Sequence, residues 1–400
     1  MQKVTLKNGL TILYKKEKGN SVVIQVMIKV GSNNEKVSEE GISHFIEHIL
    51  FEGTKKRPTN QLLSNEIEKI GGEFNAYTTN SRTCYYIKVL KKHFSKAVDV
   101  LSDILQNSLF ANENIVKEKK IVLKEIDMVH DEPNYYQWVL FQKNIFTKHP
   151  AKNPTYGKKS VIKSLTRTKV VGYFTRHYVP KNMAISIVGD VPHWKNEIEI
   201  KFLMKKCNVF SMKQINEPRA TCNTVQKEKK KNVNTYLILG FKTVPRNHKD
   251  SYVFDIIHSI LGRGQSGKMF IEIRSKNSLA YEVGTQNVVD TGFGYFAVYA
   301  TIDKKNVARV KDIILAEMQK LKMITPLELT EAKDYIEGNY LLGIEDNQKV
   351  ADQLLFWNHV GDSALMDKFL TNIKKVSIQD IRRVVDVYCK YYTMTVLEGK

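Results

Sequence analysis

Hydrophobic and polar positions alternate between two periods along the first half of the chain. Met1 to Tyr14 reads as a strand, a turn at Asn8-Gly9 and a second strand from Leu10. Val22 to Val30 is a mostly apolar run of strand length, and Met183 to Val188 is another, closing at Gly189-Asp190. Glu73 to Thr78 and Thr83 to Leu90 flank a polar turn at Asn80-Ser81 and predict a hairpin. Between these runs the period becomes helical. In Gly41 to Phe51 the apolar positions are Ile42, Phe45, Ile46, Ile49 and Leu50, with Gly53 as a stop. Further helices are predicted over Thr59–Ile70, ended by Gly71-Gly72, over Phe94–Asn107, and from Asn112 to just before Pro133.

The second half repeats this order weakly, at an offset of about 210 residues, the signature of an internal duplication. Tyr236–Phe241 and Phe293–Ile302 read as strands, and Asp250–Leu261 and Val307–Leu321 as helices. The segment beginning Ile324-Thr-Pro-Leu-Glu echoes the one beginning Phe110-Ala-Asn-Glu-Asn. The expected fold is therefore α+β, two duplicated halves, each a mostly antiparallel sheet packed with helices. Residues 1–205 and 232–400 form the halves, and the polar, proline-containing stretch 206–231 has linker composition.

A length of 400 residues suits two or three domains, and 42% hydrophobic with 10% aromatic residues is a globular balance. No apolar run is long enough for a membrane span, and the N-terminus has no apolar signal core. The expectation is a cytoplasmic protein, or a chain trimmed of a leader. The net charge of +20 is spread along the sequence; its only dense run, Lys227 to Lys231, contains Glu228. With no aromatic–basic recognition motif, this reads as a solvated lysine-rich surface and not as a nucleic-acid or membrane site. Cys84, Cys207, Cys222 and Cys389 are scattered without a Cys-x-x-Cys pair and read as free thiols.

The chemistry concentrates in His44-Phe45-Ile46-Glu47-His48. On a helix, His44 and His48 share a face and can hold one ion between their imidazoles, while Glu47 lies beside it. Two histidines, a third ligand and a water make a catalytic zinc site, and an adjacent carboxylate can take the water's proton. Glu118 and Glu125, two helical turns apart, are both candidates for the third ligand, or for a split between ligand and orienting carboxylate. The duplication supplies a control: the matching helix reads Phe254-Asp-Ile-Ile-His-Ser-Ile-Leu, and Ala332 stands where Glu118 does. The metal-type residues thus serve chemistry and are not needed for the fold. Gly262-Arg-Gly-Gln-Ser-Gly-Lys-Met269 imitates a phosphate-binding loop, but it follows a helical run and places Met269 where Ser or Thr would meet magnesium.

At these residues the chain resembles the pitrilysin–insulinase (M16) family of zinc metallopeptidases, and most of all the branch of mitochondrial processing peptidase and its bacterial relatives. Gly41 to Thr54 resembles that family's active-site helix, and the likeness continues through Gly71–Thr78 and Glu118–Glu125 into the second half. The resemblance implies one zinc ion per chain on His44, His48 and Glu125, with Glu47 as general base and Glu118 as a supporting catalytic carboxylate. It implies that Asn75, Ala76 and Tyr77 form an open strand edge for an extended substrate, a mode in which backbone pairing gives affinity. It also implies that Arg274 and Tyr281 reach the substrate from the second domain, as donors to a carbonyl or developing oxyanion. Because both sets stand on one chain, the resemblance implies a self-sufficient homodimer in place of a heterodimer with a related subunit. Its substrates would be peptides and unfolded segments, cleaved as by an endopeptidase.

Overall fold

A computed structural model of the chain describes residues 1–205, 215–231 and 233–399; Cys207 and positions 206–214 of the expected linker lie outside them. The chain divides into two compact units, each assembled from three segments: Met1–Asp127, Pro154–Lys213 and Gly343–Ser363 in one, Met128–Asn153, Gln214–Leu342 and Ala364–Lys400 in the other. Each unit thus takes in a segment from the opposite half of the sequence.

The first unit is built on six strands: β1 (Gln2–Thr5), β2 (Thr11–Lys15), β3 (Ser21–Ile28), β4 (Glu73–Thr78), β5 (Thr83–Leu90) and β6 (Met183–Val188), in the order β1-β2-β6-β3-β5-β4. The second has β7 (Thr224–Lys229), β8 (Thr235–Lys242), β9 (Ala280–Val289), β10 (Gly294–Ile302) and β11 (Thr393–Glu398), in the order β7-β11-β8-β10-β9. Among the described residues only β2–β6 and β7–β11 are parallel, and every other pairing is antiparallel. With β7 matched to β2 and β11 to β6, the remaining strands follow in one order, so the duplication read from sequence is a duplication of topology. This match accounts for β7. Its sequence, Thr-Val-Gln-Lys-Glu-Lys, is polar and falls in the expected linker, yet an edge strand needs only backbone pairing on one side, and its lysines discourage further addition.

Strands β3 and β6 are almost wholly buried because both sheet faces are covered. In the first unit the helices Ile42–Ile49 and Phe94–Asn107 pack against β3, β4 and β5, and the borrowed helix Asn347–Val360 packs against β3 and β6. In the second unit the borrowed helix Pro133–Ile145 lies against β8 and β11. Phe141 and Ile145 there join a cluster with Ile238, Phe293 and Tyr295. Gly240 on β8 admits this helix: a Cβ at that position would stand 2.5 Å from Phe141 Cζ. No helix among the described residues is long and apolar enough to cross a membrane.

Candidate metal centre

The helix Ile42–Ile49 owes its start to two features upstream. Gly41 takes φ of 92°, and a Cβ there would meet the Tyr156 carbonyl oxygen at 2.4 Å. The Glu35 carboxylate accepts the backbone N–H groups of Gly41 (2.6 Å) and Ser43 (2.8 Å), which satisfies donors that a helix N-terminus leaves open. Ser43 Oγ lies 2.9 Å from the hydroxyl of buried Tyr173. From Gly41 to Leu50 every residue is buried except three: His44, Glu47 and His48. The apolar face thus fixes the helix against the sheet and leaves its chemical face open.

His44 Nε2 and His48 Nε2 face each other at 3.3 Å. Glu125 brings Oε1 to 3.6 Å from His44 Nε2 and Oε2 to 3.5 Å from His48 Nε2. A proton shared between the two ring nitrogens can satisfy one of them, but the carboxylate contacts are longer than ordinary N–H···O bonds. Tetrahedral ligands about 2.0–2.1 Å from a zinc ion lie about 3.3–3.4 Å from one another. The three side chains therefore already hold the mutual spacing of a zinc coordination shell; their ligand atoms all fall within 4.8 Å of one another. Burial, with the His48 charge second, pushes the His44 pKa down to about 3, so its ring is neutral and its lone pair is available near pH 7.

Glu118 stands differently. Almost fully buried, it places Oε2 3.2 Å from His48 Nδ1, the nitrogen turned away from Glu125. A carboxylate there keeps the proton on Nδ1 and turns the Nε2 lone pair toward the cluster. Spacing alone left the two glutamates interchangeable, and the resemblance implied Glu125 as ligand and Glu118 as support; the geometry gives them different nitrogens of His48. Burial alone would lower the His48 pKa, but the Glu118 hydrogen bond and the charges of Glu125, Glu47 and Glu118 raise it overall.

Glu47 accepts a hydrogen bond from Thr78 Oγ1 at 2.5 Å. Burial is the main cause of its raised pKa, opposed by Thr78 and His48 and aided by Glu125. Sequence reasoning missed Thr78 and Glu35. Thr78 had a signal in its position at the end of the hairpin strand, whereas Glu35 lies in a polar loop with none.

Asn75, Ala76 and Tyr77 lie on β4, the edge of its sheet, which among the described residues is paired only with β5. Asn75 is exposed, and its side-chain oxygen accepts the Ala76 N–H at 2.8 Å. Tyr77 turns inward to hydrogen-bond Asp352. Arg274 and Tyr281 belong to the second unit. Arg274, in the π-helix Phe270–Ser275, is exposed and lies 5.2 Å over the Phe270 ring; Tyr281, early in edge strand β9, is 63% exposed. The phosphate-loop imitation follows the helix Ser251–Gly262, not a strand. Among the other expected thiols, Cys84 and Cys389 are buried and Cys222 is exposed, all free.

Residues 10–159 match the family described as Insulinase (Peptidase family M16), and residues 164–336 match the Peptidase M16 inactive domain. An uncharacterized zinc protease of Rickettsia felis is 32% identical over 383 residues, covering 92% of this chain and 91% of its own. An uncharacterized zinc protease of Bacillus subtilis is 28% identical over 397 residues, 95% of this chain and 94% of its own. Among solved structures, a protease from Helicobacter pylori superposes with a TM-score of 0.94 at 24% identity, covering 100% of this chain and 99% of its own. An M16 inactive-domain protein from Pseudomonas fluorescens gives 0.89 at 16%, covering 100% and 98%. These two likenesses concern the fold.

Proposed function

The chain belongs to the insulinase family of proteases, peptidase family M16, and from that premise we propose that it is a zinc-dependent endopeptidase, processing-peptidase-like, acting on peptides and unfolded polypeptide segments. The observation that carries this reading is the convergence of His44 Nε2, His48 Nε2 and Glu125 at the spacing of a zinc shell, with Glu47 beside them.

His44, His48 and Glu125 would hold one zinc ion, which when bound supplies Lewis acidity to a substrate carbonyl and to water. Glu118 fixes the His48 ring. Glu47, its carboxylate oriented by Thr78 and its pKa raised by burial, takes a proton from the attacking water and returns it to the leaving amine. The β4 edge pairs with the substrate backbone through Asn75, Ala76 and Tyr77, so that any extended segment can be placed before Glu47. Arg274 and Tyr281 are exposed donors suited to a substrate carbonyl or its developing oxyanion. The working form is a homodimer acting in the cytoplasm, for which light scattering on the purified protein is the check: a fully active monomer refutes the dimer.

The direct test is Glu47→Gln. The variant keeps its metal, because Glu47 is not among the ligands, and cleaves a quenched extended peptide at least about a hundredfold more slowly. A variant as fast as the parent protein overturns the mechanism.

A further inference from the structure

Strand β3 has the sequence Ser-Val-Val-Ile-Gln-Val-Met-Ile and is buried from Val22 onward, yet Gln25 stands at its centre with no exposure. A buried amide needs partners. Gln25 Nε2 donates to Asp352 Oδ1 at 3.0 Å and lies 3.3 Å from the Tyr77 hydroxyl. Gln348 Nε2 donates to Gln25 Oε1 at 2.8 Å. The Tyr77 hydroxyl itself donates to Asp352 Oδ1. Arg82, just beyond the hairpin turn, places its guanidinium 3.7 Å from Asp352 Oδ2 and 5.1 Å over the Phe356 ring. Every group lies in the first unit, but Gln348, Asp352 and Phe356 come from the helix Asn347–Val360, a segment of the second half of the sequence.

The network ends on the strand that carries the proposed substrate edge. Successive residues of a strand point to opposite faces. Thr78 points to Glu47 and Tyr77 points away, to Asp352. β4 is paired on one side only, so the backbone ladder alone holds it weakly; these two hydroxyls pin it from the two faces of the sheet. A peptide that adds to β4 takes its register from the strand, and a strand free to fray offers an ordered edge for only part of the time, which weakens apparent binding.

We propose that Asp352 is a positioning residue for substrate binding: through Tyr77 and Gln25 it holds β4 in register, so that a helix from the second half of the chain sets the affinity of the edge for an extended peptide. This rests on the reading of β4 as the substrate edge. Asp352 touches neither the metal cluster nor Glu47.

The test compares Tyr77→Phe, Asp352→Asn and the double variant, each zinc-loaded, on one extended quenched peptide. Tyr77→Phe raises KM about tenfold, the effect of a lost hydrogen bond to a charged group, and Asp352→Asn, which keeps an oxygen for the hydroxyl and loses the charge, raises it less, by about threefold. In each, kcat stays within about twofold and zinc content is unchanged. The double variant is close to Tyr77→Phe, because removing the hydroxyl already removes the bond that Asp352→Asn only weakens. Amide hydrogen exchange quickens over residues 73–78 and not in the Ile42–Ile49 helix. If KM is unmoved although exchange over β4 quickens, the order of the strand does not set affinity and the proposal is wrong. If kcat and zinc content fall as KM rises, the network is a general support of the fold and the proposal is likewise wrong. Should Asp352→Asn fail to fold, Tyr77→Phe, which removes one oxygen, decides alone. Failure of the site reading itself shows elsewhere, as full activity of Glu47→Gln.

Discussion

Replacing Glu118 separates a supporting carboxylate from a ligand. Its Oε2 lies 3.2 Å from His48 Nδ1, and the side chain is almost fully buried. In Glu118→Ala a half-buried imidazole N–H loses its acceptor, which costs about 1–3 kcal/mol, and tautomer control goes with it. At 1.36 kcal/mol per factor of ten, this corresponds to zinc affinity weaker by about 10–100-fold, the usual scale for such partners. Glu118→Gln keeps an oxygen for the N–H and loses only the charge, so it falls toward the lower end. Glu125→Ala, which removes one of three ligand side chains, costs more than either. The assay is competitive zinc titration against a chelator of known affinity at fixed pH, with circular dichroism to confirm folding. If Glu118→Ala binds zinc within about twofold of the parent protein, or costs more than Glu125→Ala, the division of roles between the two glutamates is wrong.

Zinc affinity should depend on pH through His48. Its pKa is raised in the apoprotein, so below that value zinc competes with a proton and the apparent affinity falls about tenfold per pH unit. The His48 contribution to apoprotein stability has the opposite sign, being fully present below its ordinary value of 6.5 and lost as pH rises through the raised value, whereas His44, lowered to about 3, costs stability as pH falls below 6.5. Zinc titrations of the parent protein, with melting curves of the chelated parent and of chelated His48→Gln, from pH 5 to 9 check both signs, and a metal affinity flat across that range contradicts the first. Glu35→Gln replaces one of two acceptors facing backbone N–H groups with an NH2 and should lower stability by about 1–2 kcal/mol, read as a Tm lower by several degrees. Gly41→Ala combines a positive φ with a contact at 2.4 Å and should cost about 2 kcal/mol or more in urea denaturation; a variant as stable as the parent protein refutes the account of the helix start.

Much of the fold was legible because each signal was local. The hairpin strands β4 and β5 and the helix Phe94–Asn107 fall where alternation and helical period place them. The metal helix was legible from spacing, since His44, Glu47 and His48 must share a face. Three features were not. The polar strand β7 carries no apolar alternation, because its place at an edge is decided by a partner, β11, far along the chain. The exchange of Pro133–Ile145 and Asn347–Val360 between units depends on which sheet face each helix covers, which no local pattern encodes. The roles of Glu118 and Glu125 came from the family resemblance and not from spacing, because they turn on which ring nitrogen of His48 each one meets and a seven-residue spacing gives both the same helix face. Gln25 was a signal left unread: a polar residue in the middle of a buried strand marks a network beneath it.

X-ray absorption at the zinc K-edge of the purified, zinc-loaded protein tests the central claim most directly. The account predicts one zinc per chain with a first shell of nitrogen and oxygen at about 2.0–2.1 Å, imidazole scattering from two rings, and loss of part of that scattering in His44→Gln. Sulfur at about 2.3 Å, or an unchanged spectrum in His44→Gln, would place the metal elsewhere and contradict it.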